Sequence, residues 1–228
     1  MSGAVRSLLV AVAAAAAATG IALAVLLMPW FTRVGIEVAG APAISDLGRR
    51  TAYEAAEAAR RFVAGRTDVL PATVAGRPGF DEAAASHLAD VRDVFTVARW
   101  VGVAALVGLW SLVAHAVAHG TQMELARGLR WAGRALVGAA AAAALAGAAD
   151  FGAAFVALHE LLFPKGGWLF PADALLIRLF PERFWILAGA CFVALLAAGG
   201  AVVLWAARFV RTLFDDRLPD AAQRPVGD

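Results

Sequence analysis

Four histidines are the side chains of this sequence best suited to moving protons, and their spacing sorts them into pairs. His115 and His119 stand four residues apart in a long apolar run, on one face of a helix. That spacing can ligate a metal, and either ring could be a haem axial ligand. No second cluster of ligands faces them, and a histidine at the end of a membrane span commonly rests in the interface. His87 and His159 lie in separate segments. Asp90 follows His87 at i+3, so on a helix its carboxylate can accept a hydrogen bond from the imidazole and fix its tautomer. A histidine held that way suits proton transfer. The chemistry on offer is acid–base catalysis, with no metal and no cofactor expected.

The elements that position these residues are membrane helices. The chain is 61% hydrophobic with a mean hydropathy of +0.73, well above the apolar share of a soluble domain. Four apolar runs approach the roughly 20 residues a helix needs to cross a bilayer. They cover about residues 7–30, 97–119, 134–158 and 185–207. In hydrocarbon each must satisfy its backbone hydrogen bonds within itself, hence as a helix. The first is longer than a signal-peptide core, and Pro29-Trp30-Phe31 is a poor cleavage site, so it reads as a retained helix. The fold class is an all-α integral membrane protein. Its expected form is a single membrane domain, 1–228, a four-helix bundle with an extracytoplasmic cap of short helices and a possible short strand pair.

Arginine and lysine near the span ends orient the bundle. Arg6, then Arg127, Arg130 and Arg134, then Arg208 and Arg211 fall on one side. That side is expected to be cytoplasmic, with both termini, the hairpin 120–133 and the tail 208–228. The segments 31–96 and 159–184 then lie outside. This topology separates His115 and His119 from His87 and His159 by most of a hydrocarbon thickness, roughly 30 Å. Only His87 and His159 can share a site. The lone cysteine, Cys191, excludes four-helix disulfide-forming enzymes, which need cysteine pairs. The basic residues are balanced by acids or lie at the membrane face, so nothing points to nucleic acid.

The outer segment 31–96 is structured rather than linker-like. VGIEVAG at 34–40 alternates apolar and polar and reads as a short strand. Ser45 and Asp46 can cap a helix running to about Gly65. Residues 66–80, with Pro71, Pro78 and Gly79, read as irregular, and Asp81 starts a helix leading into the second span. The stretch LHELLFPKGGWLF at 158–170 is too oily for a solvated loop and too broken, by Pro164 and Pro171, for a span. With the short amphipathic ADALLIRLF at 172–180, it suits a cap lying in the interface.

SHLADVRDVF (86–95) and FVALHELLFPKGGWLFPADALLIRLFPERFW (155–185) resemble the two most distinctive blocks of the lipoprotein intramolecular transacylase family, called Lit. The matching positions in the second block include Phe155, His159, Phe163, Trp168, Asp173, Pro181 and Phe184. More loosely, TAYEAAEAARRFVAG is similar to the family's tyrosine-bearing helix through Tyr53. The resemblance implies a multi-pass enzyme of the bacterial cytoplasmic membrane with its site on the extracytoplasmic side. It implies a diacylglyceryl-modified lipoprotein as substrate, with membrane lipids as surroundings. The acyl chain on the second glycerol carbon moves to the α-amino group of the same N-terminal cysteine, giving a lyso-form lipoprotein. His87 and His159 are the implied catalytic residues, with His87 expected as base because of Asp90. Arg92 and Tyr53 are expected to bind polar substrate groups, and Trp168 and Asp173 to support the site. The alternative is a non-catalytic lipoprotein- or lipid-binding membrane protein. A short distance between the two rings would favour the enzyme.

Overall fold

The structure, a computed structural model, describes residues 2–215; the expected tail beyond Asp215 lies outside them. Its elements run in chain order α1 (Gly3–Leu26), α2 (Pro29–Val38), α3 (Ala41–Ile44), α4 (Gly48–Val63), β1 (Thr73–Val74), β2 (Arg77–Pro78), α5 (Glu82–His119), α6 (Gln122–Ala149), α7 (Phe151–Leu162), α8 (Leu175–Leu179) and α9 (Glu182–Asp215). Four helices, α1, α5, α6 and α9, are long and apolar enough to cross a membrane. The chain divides into two compact units.

One unit is built from Gly102–Ala139 with α1 up to Thr19 and α9 from Leu196 onward. Val10 and Ala14 of α1 pack with Ala116 of α5, Leu125, Leu129 and Ala132 of α6, and Ala207 of α9. In lipid no hydrophobic force drives such helices together, so small residues that admit close contact carry the packing. Gly133 shows the constraint. A Cβ there would sit 2.6 Å from Leu204 Cγ and 2.8 Å from the Gly200 carbonyl oxygen, so α6 and α9 touch almost backbone to backbone. At the start of the helices Arg6 pairs with Glu124 at 3.2 Å, and the Ser7 hydroxyl donates to the Glu124 carbonyl. Within the hairpin expected over 120–133 the connection is only a turn at Gly120-Thr121, because Gly120 takes a positive φ and α6 begins at Gln122.

The other unit comprises Gly20–Val101 and Ala140–Leu195. Its core is one face of α4. Ala52, Ala55, Ala59, Phe62 and Val63 recur at helical spacing and meet Val74, Phe80, Ala84 and Leu88, with Leu176 and Leu179 of α8. The α4 helix ends on Gly65 at positive φ, where the Arg66 N–H closes the last turn on Arg61. Its start is not capped by Ser45 or Asp46 as expected; Leu47 takes the cap position without a side-chain bond. The Asp81 carboxylate does cap α5, accepting from the Ala84 N–H at 2.8 Å.

Two further expectations are corrected. Residues 34–38 are helical, not extended. Pro29 sets the first turn of α2, and Phe31, Thr32, Gly35 and Ile36 then bury one helical face. Five residues of alternation fit either period, and the proline decides. The strand pair forms instead over Thr73↔Pro78 and Val74↔Arg77, where Ala75 and Gly76 both take the positive φ of a tight hairpin turn. The run expected as one span over 134–158 is also interrupted. Asp150 is extended, and its carboxylate caps α7 by accepting from the Ala153 N–H at 2.9 Å. An aspartate competes with helical backbone bonds and is stable at a cap, so α6 stops at Ala149 and α7 starts anew at Phe151.

Candidate active site

α5 and α7 each bring one histidine to the same place. His87 sits in the second turn of α5, 8% exposed, and His159 in the last turns of α7. Their ring centroids are 6.1 Å apart. Both line a cavity of about 180 Å³ whose walls are almost wholly apolar, with Leu88, Val91, Phe170 and Phe184 among them. Aromatic rings crowd both imidazoles. Phe163 lies 5.0 Å from His87, while Phe155 and Trp168 lie 3.9 and 5.1 Å from His159.

The two rings differ in their hydrogen bonds. His159 Nδ1 lies 2.8 Å from the carbonyl of Phe155, one turn earlier on α7. A carbonyl only accepts, so Nδ1 carries the proton and Nε2 is left as the lone-pair atom. Burial holds His159 below the ordinary histidine range, and the Phe155 carbonyl partly offsets it. It is therefore neutral at pH 7, with one nitrogen ready to accept a proton. His87 Nδ1 is buried without a partner.

The expected helpers divide. Trp168 lines the cavity. Asp90 does not orient His87: it is exposed and makes no bond to the ring, because its position on α5 turns it out of the buried face that holds His87, Leu88 and Val91. Arg92 is likewise outside the cavity, bonded to Asp68 at 2.7 Å with its guanidinium over Phe62. Tyr53 donates to Glu37 at 2.6 Å, and Arg49 holds the same carboxylate. Asp173 is exposed and away from the site. His115 and His119 stack at 4.2 Å, and among the described residues no three His, Cys, Asp or Glu gather as a metal cage.

One charged residue at the cavity went unforeseen. Arg60 of α4 lines it with its side chain only 12% exposed. Its fork grips Glu57 at 2.6 and 2.7 Å, and its Nη1 donates to the Leu27 carbonyl at 2.9 Å. The pair lowers the Glu57 pKa and raises that of Arg60. The only sequence signal was the i,i+3 spacing of Glu57 and Arg60, which is common on solvated helices.

The profile of the family "Lipoprotein intramolecular transacylase Lit" matches residues 7–185. The chain belongs to this family. It is thus a membrane enzyme of the acyl-transferring class, not merely a lipid binder. No curated protein sequence matches it. The solved structure of the membrane-integral lipoprotein intramolecular transacylase Lit from Bacillus cereus is 17% identical, with a TM-score of 0.79 over 94% of this chain and 98% of that one. Two variants of that protein, each with a single histidine substitution, match at a TM-score of 0.75 and the same identity. At that identity the likeness establishes the fold: a predominantly helical membrane protein with four spanning helices and a short strand pair.

Proposed function

We propose that His87 and His159 are the catalytic pair of a lipoprotein intramolecular transacylase. The reaction moves the acyl chain from the second glycerol carbon of a diacylglyceryl cysteine to the α-amino group of that cysteine. The observation that carries the assignment is two imidazoles 6.1 Å apart in one apolar cavity, one of them with its proton fixed on Nδ1. Those bonds support roles that reverse the expectation from spacing. His159 is the base. As the amine nitrogen attacks the ester carbonyl, Nε2 takes the proton that the nitrogen sheds. The same proton then passes to the glycerol oxygen as the ester C–O bond breaks, leaving the amide and a free hydroxyl. His87, neutral in this apolar setting, donates an N–H to the oxyanion of the tetrahedral intermediate. Proton and charge balance over the cycle, and no acyl-enzyme is needed. Donor and acceptor belong to one substrate, which supplies a proximity advantage, and the exchange of ester for amide runs downhill.

The short amphipathic α8 and the oily stretch before it support a site at one membrane face, and the arginine bias supports that face as extracytoplasmic, with both termini inside. The test is mass spectrometry of a lipoprotein's N-terminal peptide from a bacterial host lacking N-acylation. With this enzyme the cysteine should carry an N-acyl and an S-monoacylglyceryl group. An unchanged diacylglyceryl cysteine on several lipoproteins, with expression verified, overturns the proposal.

A further inference from the structure

The arginines that orient the bundle also raise an unsolved charge problem within the first unit. Arg127, Arg130 and Arg134 lie at i, i+3 and i+7 on α6, and so on one side of it. The Gly133–Leu204 contact sets α9 alongside. Arg211, two turns beyond Leu204, falls on that same face of α9, and its charge, like those of Arg134 and Arg127, acts on Arg130. Among the described residues none of the four has an ion-pair partner. Glu124, the acid of the first turn of α6, is bonded to Arg6. Arg130 Nη1 is buried with no acceptor at all. A buried guanidinium N–H without a partner, beside three like charges, is destabilising unless an anion completes the group.

We propose that Arg127, Arg130, Arg134 and Arg211 form a binding site for the phosphate headgroup of an anionic phospholipid. Guanidinium forks from two helices match a tetrahedral phosphate, which accepts several charge-assisted bonds at once. The surroundings favour a lipid over a free anion. Trp131 is 43% exposed, and Trp205 and Phe209, stacked at 5.6 Å, are 66% and 50% exposed. Such rings suit the headgroup level of a bilayer, and basic pockets between spanning helices hold anionic headgroups. The site is separate from the histidine cavity and independent of the reaction assigned to it.

The test is native mass spectrometry of the full chain in detergent, with dioleoylphosphatidylglycerol, dioleoylphosphatidylcholine or inorganic phosphate added separately. The phosphatidylglycerol should bind and stay bound at higher collision energy than the phosphatidylcholine, with inorganic phosphate showing neither effect. Arg130→Gln and Arg211→Gln should each weaken phosphatidylglycerol binding by about tenfold, since each loses a charge-assisted bond. Arg211 is exposed, so that variant tests the site without disturbing the fold. Equal retention of both lipids, unchanged binding in Arg211→Gln, or binding of inorganic phosphate as tight as the lipid's would each overturn the proposal.

Discussion

Two imidazoles in an oily cavity can act as one unit only if each has a distinct job. In the proposed mechanism His159→Ala removes the group that carries the proton from nitrogen to oxygen, and His87→Ala removes the donor to the oxyanion. Each should lower the rate by about 10²-fold or more. The double variant should be little worse than the poorer single one, because members of one catalytic unit are non-additive. Full activity in either single variant, at matched expression, would sink the assignment. Asp90→Asn should leave the rate within about twofold of wild type, since the exposed carboxylate touches neither ring and a screened surface charge matters little. A hundredfold loss there would restore the orienting role that its spacing suggests. The depressed pKa of His159 also fixes a sign. The base works unprotonated, so activity should be full at neutral pH and fall as pH drops, with a midpoint below the ordinary histidine value of about 6.5. Initial rates in detergent across the acid range would reveal a midpoint above that value if the cavity were wet.

At the scale of the element, the decisive feature is the break between α6 and α7. Asp150 both stops one helix and caps the next, and it lies nine residues from His159. Asp150→Ala removes the cap, which is worth about 0.5–2 kcal/mol, and lets the helical register run through. The thermal midpoint should fall modestly while the rate falls further, because His159 shifts relative to His87. Asp150→Ser, which still caps, should restore most of both. A rate unaffected by Asp150→Ala would mean that α7 is held by its aromatic contacts alone. Arg60 plays a comparable part for α4. Its bond to the Leu27 carbonyl ties that helix to the joint between α1 and α2, and the substrate would meet an ion pair there rather than a bare charge. Breaking a partly buried pair from one side leaves its partner unpaired, so Arg60→Met should destabilise more than Arg60→Met with Glu57→Gln.

For the whole molecule, packing without a hydrophobic drive leaves stability to close contact. Gly133→Ala would place its Cβ against Leu204 and the Gly200 carbonyl, and such overpacking costs about 1–3 kcal/mol. Gly138, which has open space around it, should accept alanine with no loss of the detergent-unfolding midpoint. Topology is tested by reporter fusions. Those at residues 70 and 170 should report the extracytoplasmic side, and one at residue 121, in the turn before α6, the cytoplasm. A cytoplasmic signal at 70 would put the catalytic cavity on the wrong face for a lipidated substrate.

Composition alone made this a four-span membrane protein, because a long apolar run leaves the backbone no partner but itself in lipid. The oily broken stretch after His159 and much of the helical cap were legible too, since periodicity and proline report local conformation, while the histidine blocks stood out through their resemblance to the family. What the sequence could not settle was rotation and contact. Asp90 sits at a spacing that permits a bond to His87, yet the face of α5 that turns inward is chosen by Leu88 and Val91 packing against partners far along the chain. Arg60 looked like one more solvated arginine until the fold buried it against the Leu27 carbonyl and the cavity. Asp150, lost in a run of alanines, became the cap of the helix that carries His159. Local pattern fixes what each residue can do; the packing of distant segments fixes which of those things it does.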